Sequence, residues 1–293
     1  MKNKKILAII FAVVAAILYS INVPLSKLLL NKIEPTFLAS LLYLGAGIGV
    51  GIVSLFRKKK YSVDEKINKK DMPYVIGMVV LDILAPIFLM IGLKNSLSSN
   101  ASLLNNFEIV CTSIIALIIF KEVISKKMWL AISLITISSF ILSIDLSESF
   151  SFSWGSFFIL AATLCWGFEN NCTRNLADKN TYVIVIIKGI FSGLGSLIVS
   201  LILRENLSSG IYILYALLLG FVAYGLSIFF YIKAQGVIGA AKTSAYYSLA
   251  PFIGTFLSFI LLGEDLKYTY FIGLIIMIIG TIVVVYDTLE KGD

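Results

Sequence analysis

Residues Ile6 to Leu30 run ILAIIFAVVAAILYSINVPLSKLLL, directly behind the basic cluster Lys2-Asn3-Lys4-Lys5. About twenty apolar residues in a helix, at roughly 1.5 Å of rise each, cross the hydrocarbon core of a bilayer. The stretch could imitate a secretory signal, but it is too long for the apolar region of one, and the pattern recurs down the chain. Further runs of this kind occupy 35–56, 73–94, 99–120, 127–146, 154–177, 181–203, 211–233, 239–262 and 269–287. Hydrophobic residues make up 59% of the 293 and charged residues 14%, so most of the surface is built for lipid. A sheet edge cannot be satisfied in lipid, and the expected fold is an all-α membrane protein of ten transmembrane helices. Pro35 and Pro73 mark helix starts; Pro24, Pro86 and Pro251 lie inside spans, where membrane helices accept kinks.

The net charge of +7 does not point to nucleic acid, because the basic residues sit in short loops beside helix ends. Counted on alternate sides, eighteen Lys and Arg fall with Lys2, the Arg57–Asp71 stretch, Lys121 and Lys126, and only Lys27, Lys32, Lys94, Arg204 and Lys267 fall opposite. That bias places both termini in the cytoplasm. The halves echo one another. Phe120-Lys121-Glu122 and Leu262-Gly263-Glu264 are 142 residues apart (264 less 122), and Ser102 matches Ser244 at the same spacing. Tyr19-Ser20-Ile21-Asn22 through Lys27 aligns with Trp166-Gly167-Phe168-Glu169 through Arg174. Five spans is an odd number, so a duplicated unit enters the membrane upside down the second time. Residues 1–146 and 147–293 are therefore expected as two inverted five-helix repeats, with a binding site near mid-membrane where they meet.

Asn100-Ala101-Ser102-Leu103-Leu104 followed by Glu108 and Glu122, with Ala250-Pro251 and Gly263-Glu264 in the second half, resembles the EamA-type transporters of the drug/metabolite transporter superfamily. Their fourth helix carries a Glu-Pro pair, an apolar run and a Gly-Glu ending. Each half departs once: Ile109 stands where Pro is usual, and Ala250 where Glu is common. The resemblance covers nearly the whole chain. It implies ten helices, cytoplasmic termini, a central cavity lined mainly by helices one, three, four, six, eight and nine, and export of small metabolites such as amino acids.

What is missing narrows the chemistry. The chain has no histidine, which removes HExxH zinc sites and Ser/His dyads, and no metal or cofactor is expected. Cys111, Cys165 and Cys172 lie in apolar runs with no metal-ligand spacing and read as buried small hydrophobes. No phosphate-binding motif of the Walker type is present, so ATP is not the expected energy source. Gly45, Gly47, Gly49 and Gly51 make overlapping GxxxG spacings, the mark of close helix packing.

Function rests on the polar residues inside the spans, since an ionisable group in lipid normally faces the bundle interior. Glu169 and Lys188 lie at equal depth on consecutive spans and should meet. Two readings fit: an ion pair locking helices six and seven, or a cavity pair that opens during transport. Ser98, Ser102, Asn105, Glu108 and Thr112 share a face of span four. Glu108 has no base at matching depth in spans three to five, and it could carry a proton, meet a substrate amine, or be a hydrogen-bonded structural acid. Asp82, one turn before Pro86, reads as satisfying the backbone at that kink. The expected cavity set is Tyr19, Asn22, Asn105, Glu108, Trp166, Glu169, Asn170, Lys188, Tyr224, Tyr246, Tyr247 and Ser248, with Glu108 and Glu169 as coupling candidates. Trp166, Tyr246 and Tyr247 suit a flat or partly apolar solute; Tyr268 and Tyr270 read as interfacial belt.

The resulting expectation is a secondary active transporter, not an enzyme. It would export small, amino-acid-like organic solutes by alternating access and be open to proton coupling. Its partners would be substrate, lipid and protons. It would act as a monomer in a bacterial plasma membrane. The rival readings are an uncoupled facilitator, a membrane-embedded enzyme, or a sensor.

Overall fold

The computed structural model describes residues 2–56, 66–96, 98, 101, 104–143, 154–207, 210–266 and 268–290, and every regular element among them is helical. In chain order these are α1 (Lys2–Ser20), α2 (Asn22–Leu29), α3 (Pro35–Leu55), a short 3-10 helix (Lys69–Asp71), α4 (Met72–Lys94), α5 (Phe107–Ile118), α6 (Lys126–Ser143), α7 (Trp154–Arg174) and α8 (Thr181–Ile202). Then come α9 (Ile211–Leu219), a π-helical segment (Gly220–Leu226), α10 (Ser227–Ile238), α11 (Ala240–Tyr247), α12 (Ala250–Leu262) and α13 (Tyr268–Glu290). Most of the polar Arg57–Asp71 stretch, the motif residues Asn100, Ser102 and Leu103, Lys267, and the expected repeat boundary at 146/147 lie outside the described residues.

Polarity is turned inside out relative to a protein folded in water. Asp82, Asn22 and Gln235 are wholly buried, while Ile202 is 73% exposed and Ile118 is 69% exposed. Exposed isoleucine around buried carboxylate is stable only where the surroundings are hydrocarbon, which makes this an integral membrane protein. Among the described residues, seven helical stretches are long and apolar enough to cross a bilayer: Asn3–Leu29, Pro35–Leu55, Lys69–Lys94, Thr181–Ile202, Ile211–Ile238, Ala240–Leu262 and Tyr268–Glu290. The other three expected spans correspond to α5, α6 and α7. α5 is a short apolar helix, α6 starts with two lysines, and α7 carries Glu169, Asn170, Asn171 and Arg174.

Two of the three internal prolines account for breaks. Proline lacks the N–H that would bond to the carbonyl four residues back, and its ring crowds that residue. Pro24 faces Ser20, where α1 ends, and Pro251 faces Tyr247, where α11 ends. Pro86 stays within an unbroken α4. The fourth span of the first half breaks without proline, at Asn105 and Asn106 before α5.

The helices associate across the halves: α3 along α8, α4 along α7, α6 along α13, α1 along α10, and α5 against α7 and α11. The α3/α8 contact needs glycine on both sides. A Cβ on Gly189 would stand 2.3 Å from the Gly47 nitrogen, and one on Gly47 would stand 2.7 Å from the Ile190 nitrogen. Three expectations change. Tyr268 is exposed, but Tyr270 is buried with its hydroxyl donating to the Phe252 carbonyl, so it is not a belt residue. The cysteines are half-buried and form no disulfide. Gly51 faces open space and makes no close packing.

Candidate functional site

The irregular points of four spans converge. The α1/α2 break presents Tyr19 and Asn22, the break before α5 presents Asn105 and Glu108, the π segment presents Tyr224, and the α11/α12 break presents Ser248. Regular helices leave no free backbone and little room, so broken and π-helical turns are where membrane proteins build sites. Between these points lies a cavity of about 40 Å³, walled by Tyr19, Tyr43, Trp166, Tyr224, Tyr231 and Tyr247, with Glu108, Glu169, Asn170 and Lys188 also lining it. Two side pockets of about 10 Å³ each adjoin it along Asn105, Ser248 and Pro251. Since one water needs roughly 10–15 Å³ on this measure, the main cavity holds about three waters. That volume is smaller than an organic solute.

The charges form one cluster. Lys188 Nζ on α8 lies 2.8 Å from Glu169 Oε1 on α7 and 3.2 Å from Asp82 Oδ2 on α4. Tyr43 on α3 donates its hydroxyl to Asp82 Oδ1 at 2.7 Å, and Thr173 donates to Glu169. The Glu169–Lys188 meeting expected from depth is present, but a third member joins it. Asp82 does not serve the Pro86 backbone: it faces Tyr43 and Lys188 on other helices, which spacing along α4 cannot show.

Glu108 is held differently. Asn170 on α7 donates its amide to Glu108 Oε1 at 2.7 Å and to Thr112 Oγ1 at 3.2 Å. Gln235 on α10 donates to the Asn170 carbonyl at 3.1 Å, tying the pair to a third helix. The neighbour that sequence spacing within spans three to five did not supply is thus a neutral amide from the other half. Glu108 has no cation within ion-pair distance in the described structure.

The ring wall is continuous. Tyr19 stands at its centre, 5.7 Å from Tyr224, 5.2 Å from Tyr247 and 6.5 Å edge-on to Trp166. Tyr43 extends it beyond Tyr224 at 5.0 Å, and Tyr231 beyond Tyr247 at 4.9 Å. Asn22 donates to the Tyr224 hydroxyl at 3.2 Å, and Ser26 donates to Asn22 at 2.9 Å. Of the expected set, Tyr19, Glu108, Trp166, Glu169, Asn170, Lys188, Tyr224 and Tyr247 meet at the main cavity. Asn105 and Ser248 line the side pocket, and Asn22 sits behind Tyr224. Tyr246 is elsewhere: it is buried and hydrogen-bonded to Thr288 on α13. One position along a helix turns a side chain by about 100°, so adjacent tyrosines cannot share a face. Tyr43 was missed. Thr36 and Ser40 stand seven and three residues before it on the same face, and this polar stripe was the signal that could have found it.

Comparison with known proteins agrees with this architecture. The chain is 26% identical over 94% of its length, and 85% of the relative's, to an uncharacterized transporter of Methanothermobacter thermautotrophicus. It is 29% identical over 66% of both chains to the uncharacterized transporter YyaM of Bacillus subtilis. A solved crystal structure superposes with a TM-score of 0.79 over 98% of both chains at 16% identity, a likeness of fold. The EamA-like transporter family matches residues 6–144 and again residues 153–286. On that double match the chain belongs to the EamA-like transporter family.

Proposed function

We propose that this transporter exports small organic amines, amino-acid-like solutes among them, by alternating access, exchanging each for a proton at Glu108. The observation that carries the reading is the charge balance at the cavity: Glu108 and Glu169 line it, Asp82 lies behind it, and Lys188, paired with Asp82 and Glu169, is the one base lining it. Surplus negative charge away from water is expensive. A proton or a substrate ammonium offsets it equally well, which makes the two competitors for one carboxylate. The ring faces around Glu108 add attraction for a cation and shelter for an apolar substituent.

Ten crossings in two inverted five-helix units, with cytoplasmic termini in a plasma membrane, complete the proposal. Its support is the exchange of partners. If units of five are related by a two-fold axis, spans two and seven, four and nine, and five and ten pair with each other, while one with eight mirrors six with three. The packing of α3 on α8, α11 on α5, α6 on α13, α1 on α10 and α7 on α4 follows that scheme.

The test is counterflow in liposomes with labelled amines and amino acids, with and without an imposed pH gradient. The proposal expects exchange of a labelled amine and its gradient-driven accumulation. Glu108→Gln should abolish the gradient response while leaving solute binding measurable by thermal shift. Gradient dependence unchanged in that variant would remove Glu108 as the exchange site. Exchange that never responds to a gradient would favour a facilitator.

A further inference from the structure

We infer that Glu122 and Glu264 are two reciprocal latches, each closing one mouth of the central cavity by holding a backbone N–H at the start of the other half's fourth span. Glu264 follows α12, the end of span nine, and its Oε1 accepts from the Ser98 backbone N–H at 3.0 Å, at the start of span four. Glu122 follows α5, the end of span four, and its Oε2 accepts from the Ala240 backbone N–H at 3.3 Å, at the start of α11 and span nine. The register is the same in both: 264 less 122 and 240 less 98 are each 142.

The backbone repeats as well. The residue before each glutamate lies in the left-handed region, Lys121 at φ 55° and Gly263 at φ 69°. That turn ends the helix and swings the next side chain sideways toward its neighbour. For Gly263 the conformation costs little, but for Lys121 it is strained. What the two ends share is the register: a left-handed residue at matching places of the two halves aims both glutamates alike.

The two contacts lie at opposite ends of one antiparallel pair. Span nine covers Ala240–Leu262, so the latches stand roughly 35 Å apart by helical rise, with the broken mid-helix turns and the cavity between them. A carboxylate on a backbone N–H is a charge-assisted bond, and at Ala240 it also faces the positive end of α11. It is strong enough to hold a mouth shut and weak enough to release. Both are formed here, which fits a cavity with room only for waters. In alternating access, one latch opens while the other holds. Glu205 serves as an internal control: preceded by Arg204, also left-handed at φ 55°, it caps Thr36 and Phe37 of α3 at 3.1 and 2.8 Å with the same kind of turn, but outside the pairing of spans four and nine.

The inference rests on the alternating-access reading, but its test needs no substrate. A cysteine at Ile228, on the cavity wall, is placed in a chain whose three cysteines are replaced by alanine. A membrane-impermeant maleimide is then added to right-side-out and to inverted vesicles. Glu264→Ala should speed labelling roughly fivefold, the loss expected for one cap, from one face only. Glu122→Ala should do so from the opposite face only, and Glu205→Ala from neither. The Gln variants, which keep a weaker acceptor, should show the same sidedness at smaller size and serve if an alanine variant does not fold. Increases from the same face, no increase in either, or an equal response in Glu205→Ala would overturn the latches. A negative counterflow result with correct sidedness would fault the substrate reading alone.

Discussion

In the second half the chain meets Pro251, whose ring forbids the bond to the Tyr247 carbonyl, and the helix stops there. In the first half Ile109 holds the matching place, and the break falls to Asn105 and Asn106. There the chain tightens, with Glu108 N bonding to Asn105 O at 3.1 Å and Ile109 N to Asn106 O at 3.2 Å. Asparagine competes with helix geometry through its side chain, and Asn106 spends its amide on Ser139. The two regions reach one shape by different means. Their charge is unlike: Glu108 lines the cavity where the second half offers Ala250. Shape is duplicated and chemistry is not, in keeping with the proposed single exchange site at Glu108.

The largest test of that contrast lies in the charge cluster, where Asp82 of the first half meets Glu169 and Lys188 of the second. Lys188→Met leaves two buried carboxylates without their cation and should cost about 3–5 kcal/mol. Thermal unfolding in detergent measures it. The triple variant Asp82→Asn, Glu169→Gln, Lys188→Met should recover most of the loss, and a failure to recover would mean that the charges do more than neutralise one another.

A smaller effect separates the two breaks. Pro251→Ala restores an N–H donor and allows a continuous helix through Tyr247. Counterflow should fall about tenfold, or roughly 1.4 kcal/mol of barrier. Ile109→Pro removes the Ile109–Asn106 bond but falls where the helix already breaks, and should change the rate less than threefold. Equal losses would say that the breaks are not interchangeable in shape.

The smallest effect concerns the helix ends. Lys121→Gly relieves a left-handed non-glycine residue and should stabilise by about 1 kcal/mol, while Gly263→Ala should destabilise by a similar amount. The same unfolding measurement reads both. A neutral Lys121→Gly would mean that the side chain makes up the strain through contacts of its own.

Much of this was legible in residue order. The apolar runs marked the helices, and equal depth brought Glu169 to Lys188. The prolines at 24 and 251 carried the breaks within them, because a missing N–H acts on its own chain four residues back. The partners of Glu108 and Asp82 were not legible. Asn170 is 62 residues from Glu108, and Tyr43 is 39 from Asp82. Periodicity says which face of a helix a residue takes, not which helix that face will meet. Tyr246 shows the same limit in reverse: its neighbour Tyr247 reaches the cavity, while its own ring turns to α13.

By itself, then, the sequence determined the solvent, the helical class, the places where helices stop and the stock of charges, since each follows from hydropathy or from backbone chemistry local to a few residues. The tertiary structure decided which charges became neighbours, which rings closed the cavity, and that the glutamates ending each fourth helix cross over to the other. Those contacts join residues far apart in the chain, and only packing among helices, close enough at Gly47 and Gly189 to admit no Cβ, sets their distances.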